Sequence, residues 1–194
     1  MNGDSTVVVI SGTDTQEMNT INKSETFLGY KLSVYPNLTL EKYHKLKESD
    51  NLPDPTHTTY VSRDALINGK NIKHSHLRYG SNNETPPNTY YLFLKGTNGD
   101  STTGKYELYV GDTNGSRIIK GPDGIRTGVA IHGYDPRFSA GCFTTFETGK
   151  NGGIPDLINA IPDLKDDTQP VRLIVEPRNA KEVERNNQTM WIGF

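Results

Sequence analysis

The sequence is poor in cysteine, in tryptophan and in long apolar runs. Only 32% of its 194 residues are hydrophobic, and no stretch approaches the about 18 consecutive apolar residues of a membrane-spanning helix. A single cysteine, Cys142, excludes an internal disulfide, so its thiol is either a small buried apolar group or a reactive one. The formal net charge is -2 and Lys and Arg form no basic run, which predicts neither a nucleic acid nor a membrane surface as a partner.

Glycine and proline, by contrast, are plentiful. The chain has 19 Gly and 11 Pro, which favour a mainly β fold of the β-rich α+β class over a helical bundle. Apolar segments that alternate or are β-branched, bounded by turn residues, predict strands over 6–12, 27–36, 89–96, 105–112, 117–121, 128–133 and 170–177. The turn-rich spacing between residues 89 and 121 predicts a meander or part of a sandwich.

Two short helices are also predicted. Apolar residues three apart within 38–49 indicate one helix, with Thr39 as its N-cap. The segment 154–164 indicates the other, with Pro155 in its first turn. The segment SRDALING (62–69) is interpreted as one helical turn.

The first part of the chain has less regular patterning than the rest. We therefore expect an N-terminal extension over 1–76, rich in strands and loops, packed on a domain over 77–194. The N-terminus carries a short apolar run, TVVVISG, without the basic stretch and the longer apolar core of a secretory leader. An activity outside the cytoplasm would need a leader that had been removed, or an export route that does not require a leader.

The segment VAIHGYDPRFSAGCFT (129–144) contains the residue types of a cysteine nucleophile's site. A thiol reacts as its thiolate, so a catalytic cysteine needs a nearby base, and histidine is the usual one. His132 ends a predicted strand and Cys142 follows after a short loop, which allows the two side chains to meet. Gly141 permits a tight turn whose backbone N–H groups, including that of Cys142, can bind an oxyanion. Ser139 is near enough in sequence to orient the pair.

Other motifs have simpler explanations. GDSTTGK (99–105) has the spacing of a phosphate-binding loop, but Tyr106 stands where Ser or Thr is needed, so a hairpin turn is predicted. HSH (74–76) has no second paired motif to complete a metal site. The segment 112–123 lacks the glycine and the final glutamate of a calcium loop. We therefore predict no metal and no cofactor.

The residues around Cys142 resemble those of a known family. His132-Gly133, followed by Ser139-Ala140-Gly141-Cys142, is similar to the HG…S-x-G-C signature of the L,D-transpeptidase (YkuD-type) catalytic domain. Upstream, ETPPNTY (84–90) resembles the T-P-x-G-x-Y/F segment of that family. The resemblance covers residues 77–177, and two motifs in the right order are more specific than either alone.

The resemblance implies a β-sandwich or barrel with one or two short helices, and a cysteine acyl-enzyme that acts on peptidoglycan stem peptides. Cys142 would attack the carbonyl of an L-centre followed by a D-centre, and His132 would take the thiol proton and return it to the leaving amine. Gly141 and Cys142 would form the oxyanion hole, Ser139 would line the site, and a backbone carbonyl would fix the tautomer of His132. An amine acceptor would give transpeptidation, and water would give carboxypeptidation. The candidates for substrate binding are Gly133, Tyr134, Arg137 and Thr144.

Three positions depart from the pattern of that family. Ala140 stands where many members have His, Thr144 where many have Arg, and Asn88 where Gly is usual. Arg137 is a candidate substitute for the missing arginine. The departures and the lack of a leader resemble antibacterial effectors that are delivered into competitor cells. This resemblance implies the cell envelope (periplasm) as the place of action, and an immunity protein or a secretion-system component as a partner.

Two other interpretations remain open from the sequence. A non-catalytic module that binds cell wall or a partner, built on a degenerate transpeptidase scaffold, is favoured by the missing His and Arg. A cysteine hydrolase of unrelated type is supported by the His132 and Cys142 pair alone. A depressed thiol pKa, with fast alkylation at neutral pH, is expected of an active site and not of a binding module.

Overall fold

The computed structural model describes residues 5–19, 26–63, 66–67, 70–71, 85–94, 107–121, 124–133, 141–146, 153–165 and 170–177. The helices in these ranges are α1 (Leu40–Glu48) and α2 (Ile154–Ala160). The strands are β1 (Val7–Asn19), β2 (Thr26–Tyr35), β3 (His57–Ser62), β4 (Leu66–Ile67), β5 (Lys70–Asn71), β6 (Asn88–Leu94), β7 (Glu107–Gly111), β8 (Ile118–Gly121), β9 (Gly124–Thr127), β10 (Ala130–His132), β11 (Phe143–Thr145) and β12 (Val171–Val175).

Eight of these strands close into a barrel. Their order around it is β1-β12-β6-β7-β10-β11-β3-β2, and β2 pairs with β1 to close the ring. The pairs β1–β12 and β10–β11 are parallel, and the other barrel pairs are antiparallel. The pairs β4–β5 and β8–β9 form separate two-stranded sheets. The prediction of a mainly β fold with two short helices is confirmed.

Alternating side chains fill the interior of the barrel. On β1, Val8 and Ile10 belong to the central apolar cluster, whereas Val7 and Val9 belong to a second cluster on the outer face. This period of two is what a strand with one face toward a core requires. The other barrel strands add to the same central cluster Leu32, Val61, Leu92, Leu108, Ile131, Phe143 and Leu173.

Helix α1 covers part of the outer face. The Thr39 hydroxyl accepts a hydrogen bond from the Lys42 N–H at 3.2 Å, which caps the helix as its sequence predicts. Tyr43 of α1 is buried against Val9, and Leu38 just before the helix belongs to the same cluster. The predicted helix over 38–49 is thereby confirmed, with its ends at Leu40 and Glu48.

Helix α2 packs on the central cluster rather than on the outer one. It follows Gly153, whose φ of 71° is left-handed, and Pro155 lies in its first turn as predicted. Ile154, Leu157 and Ile158 are buried in the central cluster. The helix continues into a 3-10 turn over Pro162–Lys165. None of the helices in the described ranges is long and apolar enough to cross a membrane.

Two local predictions are wrong. A strand does form within 117–121, as β8 (Ile118–Gly121), but it pairs with β9 outside the barrel. The barrel neighbour that follows β7 is β10, so the predicted meander ends at β7. The segment 62–69 is not a helical turn, because Leu66–Ile67 pairs with Lys70–Asn71 as a strand. The sequence holds an Asn-Gly pair at 68–69, a dipeptide typical of hairpins.

The boundary that the sequence predicts between residues 76 and 77 lies outside the described residues. Strands on both sides of that boundary contribute to the single barrel: β1, β2 and β3 before it, and β6 and later strands after it. The first 63 residues therefore supply three of the eight barrel strands.

Candidate active site

His132 and Cys142 lie on neighbouring parallel strands. His132 is the last residue of β10, and Cys142 immediately precedes β11. The register pairs Ile131 with Phe143 and His132 with Thr144. Because Ile131 and Phe143 both face the barrel core, the residues on either side of them face outward. His132 and Cys142 therefore share the outer face of the β10–β11 pair.

The register also fixes how far apart the two residues are. Cys142 stands one place before Phe143, so it is level with Ala130, and His132 is two residues further along the same face. A strand rises about 3.3 Å per residue and neighbouring strands lie about 4.8 Å apart, so the two Cα atoms are separated by about 8 Å. Side chains of the length of histidine and cysteine can close such a gap.

The sulfur of Cys142 lies among backbone groups of the segment that leads into β10. Its thiol donates a hydrogen bond to the Gly128 carbonyl at 3.8 Å, and the Ala130 N–H donates one to the sulfur. Although Cys142 as a residue is partly exposed, burial is the strongest influence on its thiol and raises the pKa. The raised pKa is the opposite of the depressed value that the sequence leads us to expect of an active site.

Two charged side chains act on the same sulfur with opposite signs. Arg126 on β9 lowers the pKa of the Cys142 thiol because a positive charge favours the thiolate, and Glu107 on β7 raises it. Arg126 is only 5% exposed, although arginine is seldom buried to that extent. Its positive charge therefore acts on the Cys142 thiol from a buried position.

Gly141, the residue before Cys142, is held by the second sequence motif. Thr85 is fully buried, and its hydroxyl donates a hydrogen bond to the Gly141 carbonyl at 2.8 Å. Gly141 has a φ of 101°, a region that glycine adopts without strain. The Tyr90 hydroxyl donates to the Pro86 carbonyl at 2.7 Å and so fastens the segment of Thr85 to β6. The two motifs of the sequence thus meet beside Cys142.

A row of polar residues crosses four strands at the level of His132. Glu107 of β7 is opposite His132, His132 is level with Thr144, and Thr144 is opposite Ser62 of β3. Opposite residues of an antiparallel pair have Cβ atoms about 4.5–5.5 Å apart, so the Glu107 carboxylate can reach the imidazole. Thr144 is fully buried, and its hydroxyl has no hydrogen-bond partner among the described residues.

The remaining predicted site residues are placed as follows. Gly133 directly follows β10, next to His132. Tyr134, Arg137 and Ser139 lie outside the described residues, and their predicted roles stay predictions. Within the described ranges, no group of three or more His, Cys, Asp or Glu residues could hold a metal ion.

Sequence reasoning missed Arg126 and Glu107. Arg126 pairs with Ile119 across the β8–β9 hairpin, and both side chains are buried, but β9 is only four residues long and gives no alternating signal. Glu107 lies in the predicted strand 105–112 and is the first residue of β7, where alternation could have placed it on the face opposite Leu108. What the sequence does not contain is the pairing of β7 with β10, which brings Glu107 to His132.

No family model matches the sequence, and none of the curated proteins does either. Among solved structures, the chain is similar to a crystal structure of the helical cell shape determining protein Pgp2 (K307A mutant) from Campylobacter jejuni, with 18% sequence identity and a TM-score of 0.46. The aligned part covers 91% of this chain and 49% of that one, so this chain spans about half the length of that protein. A similarity at this level carries no information about the chemistry of the site.

Proposed function

We propose that this protein is a cysteine-dependent acyltransferase that acts on peptidoglycan stem peptides, as an L,D-transpeptidase or an L,D-carboxypeptidase. The observation that carries the proposal is the register of β10 and β11, which puts Cys142 and His132 on one outer face. Cys142 is level with Ala130, and His132 is two residues further along β10. The second support is the bond from Thr85 to Gly141, which joins the two motifs that resemble the transpeptidase family.

The reaction begins with the thiol of Cys142 protonated at neutral pH, because burial raises its pKa. His132 removes that proton as the sulfur attacks the carbonyl carbon, so a preformed ion pair is not required. The new C–S bond gives a tetrahedral intermediate whose negative charge rests on the former carbonyl oxygen. The buried Arg126 and the Ala130 N–H stabilise negative charge on the sulfur while it forms.

The intermediate collapses when the C–N bond breaks. The imidazolium of His132 gives its proton to the leaving amine, and a thioester of Cys142 remains. An incoming amine, or water, then loses a proton to His132 and attacks the thioester. The C–S bond breaks and the thiol regains the proton, so the enzyme returns to its first state.

Glu107 supplies the carboxylate that the sequence did not reveal. It is opposite His132 across β7 and β10, on the side away from β11. A carboxylate there can accept a hydrogen bond from one ring nitrogen, which leaves the other nitrogen directed to the thiol and stabilises the imidazolium. This role replaces the backbone carbonyl that the family resemblance implies.

The test is incubation of the purified protein with muropeptides, followed by mass spectrometry. Loss of a terminal D-alanine from the stem peptide shows carboxypeptidation, and a mass change from an added D-amino acid shows exchange. The control is Cys142→Ala, which keeps the fold but removes the sulfur. A wild-type protein that leaves the muropeptides unchanged, indistinguishable from Cys142→Ala, would refute the proposal.

One observation favours the second interpretation, a non-catalytic binding module. The thiol pKa is raised by burial, and an inert cysteine in a binding module needs no low pKa. The muropeptide experiment separates the two, because a module would bind the sugar-peptide without changing its mass. Binding is measured by pelleting the protein with insoluble peptidoglycan, and Cys142→Ala binds as well as wild type in that case.

The substrate would place the activity in the cell envelope, and the effector interpretation of the same activity has its own test. We expect that directing the protein to the periplasm of a Gram-negative host reduces survival, whereas the Cys142→Ala variant, directed in the same way, does not. An immunity protein would then be recognised by the survival it restores. Survival that is equal for both variants would remove the effector interpretation and leave the enzymatic one.

A further inference from the structure

Thr85 contacts Gly141, the residue that precedes the proposed nucleophile. It stands 56 residues before Gly141 in sequence, is fully buried, and donates its hydroxyl to the Gly141 carbonyl at 2.8 Å. A buried threonine hydroxyl keeps one orientation, because its branched side chain has few rotamers and its hydrogen bond cannot be exchanged for water.

This contact determines the direction of a neighbouring group. The peptide between Gly141 and Cys142 is trans and planar, so the Gly141 carbonyl and the Cys142 N–H point in opposite directions. Holding the carbonyl toward Thr85 therefore turns the Cys142 N–H away from Thr85. The φ of 101° at Gly141 makes this orientation available to the backbone without strain.

We propose that Thr85 is a positioning residue for oxyanion stabilisation: its bond to the Gly141 carbonyl aims the Cys142 N–H at the oxygen of the carbonyl under attack. The inference rests on the proposed function in so far as Cys142 forms an acyl-enzyme. A donor aimed before the reaction stabilises the developing charge without reorganisation, and removing such a donor costs about 10²–10³ in rate. Misaiming it costs less, and we expect a decrease of about tenfold to a hundredfold.

The experiment compares two reactions of the same thiol. Acylation by p-nitrophenyl acetate passes through an oxyanion, whereas alkylation by iodoacetamide does not. Both reactions use the thiolate of Cys142, so its ionised fraction cancels and the ratio of the two rates reports oxyanion stabilisation. It also needs no peptidoglycan, so its result is independent of the substrate named above.

Three variants are measured against wild type. Thr85→Val keeps the shape and removes the hydroxyl, and Thr85→Ser keeps the hydroxyl. The matched control is Thr6→Val, because Thr6 is also fully buried and its hydroxyl donates to Asp163 at 2.6 Å, far along the chain from Cys142. Thermal unfolding shows that each variant is folded, and Thr85→Ala replaces Thr85→Val if the latter is not.

We expect Thr85→Val to lower the acylation-to-alkylation ratio about tenfold or more, with Thr85→Ser near wild type and Thr6→Val unchanged. Thr85→Val should also lower kcat on stem peptides by a larger factor than it raises KM. An unchanged ratio in Thr85→Val, an equal fall in Thr6→Val, or failure of both Thr85 variants to fold overturns the inference. A lowered ratio in a protein that leaves muropeptides unchanged supports the inference and refutes the proposed substrate.

Discussion

The outer surface of the barrel has two faces that use the same alternation of side chains in different ways. On β1 and β12 the outward residues include the apolar Val7, Val9 and Ile174, which pack in the cluster under α1. Arg172, on the same face of β12, lies over the Tyr91 ring at 3.9 Å. None of these three apolar residues carries a titratable group, and their burial under α1 stabilises the fold.

On β7, β10 and β11 the outward residues are polar and titratable instead. This face, which we call the site face, carries Glu107, His132, Cys142 and Thr144. The buried Arg126 lowers the pKa of the Cys142 thiol. A buried hydroxyl costs stability when it has no hydrogen-bond partner, and that of Thr144 has none among the described residues. The comparison teaches that the cluster under α1 is apolar, whereas the face of β7, β10 and β11 gathers a carboxylate, an imidazole and a thiol, which is expected of a site.

The largest effect expected on the site face is that of His132→Gln. The variant loses the general base, and we expect turnover of stem peptides to fall by about 10²–10⁴ with little change in thermal stability. The matched control is His44→Gln, because His44 is an exposed histidine on α1 beside the other face. Turnover that is equally reduced in both variants would mean that the two faces do not differ in the way proposed.

On the apolar face, Leu38→Ala is expected to change stability instead of turnover. Leu38 is 5% exposed and packs in the cluster under α1, and removing such a side chain costs about 2–5 kcal/mol of unfolding free energy. Chemical denaturation measures the loss, and kcat per folded molecule should stay at the wild-type value. Ile125→Ala is the control, since Ile125 is 65% exposed and its loss should change stability by less than about 0.5 kcal/mol.

Glu107→Gln sharpens the comparison because it should affect turnover and thiol reactivity in opposite directions. Glu107 raises the pKa of the Cys142 thiol, so its neutralisation shifts the alkylation midpoint to lower pH and speeds alkylation at pH 7. If Glu107 holds His132 as proposed, turnover should fall by about tenfold to a hundredfold, because a charge-assisted hydrogen bond contributes about 1.5–3 kcal/mol.

The control for this variant is Glu48→Gln, an exposed carboxylate on α1, which should change neither quantity. A shifted alkylation midpoint with undiminished turnover would show that Glu107 acts on the sulfur alone and does not position His132. If neither quantity moves, the carboxylate plays no part in the site.

The two faces also differ in how far the sequence predicts them. The apolar face follows from local pattern: the alternation of Val7 and Val9 and the spacing within α1 predict the elements and the Thr39 cap, and the structure confirms them. Residue type and spacing also single out His132 and Cys142 among the four catalytic candidates, and their catalytic roles stay predictions.

What the sequence could not supply is the set of neighbours of those two residues. Glu107 reaches His132 only because β10 and not β8 follows β7 in the barrel, a non-local pairing with no local signature. Arg126 lowers the pKa of the Cys142 thiol from a strand of four residues, which is too short to show a period. The raised thiol pKa is a consequence of packing, which composition and spacing do not encode.

The smallest expected effect concerns stability, and it tests the burial of the thiol directly. The pKa of Cys142 is raised in the folded chain, while an unfolded cysteine ionises near about 8.5. Above that pH the unfolded state loses its proton and the folded state keeps it, so the unfolding free energy decreases as pH rises. The contribution is fully present below about pH 8.5 and is lost as pH rises toward the folded pKa. Denaturation of wild type and of Cys142→Ser between pH 7 and 10 should therefore give a difference in unfolding free energy that is constant at first. At higher pH the difference changes, because wild type loses stability relative to the variant. A difference that stays constant to pH 10 would mean that the sulfur ionises as freely as in water, and the site face would then be open where we describe it as buried.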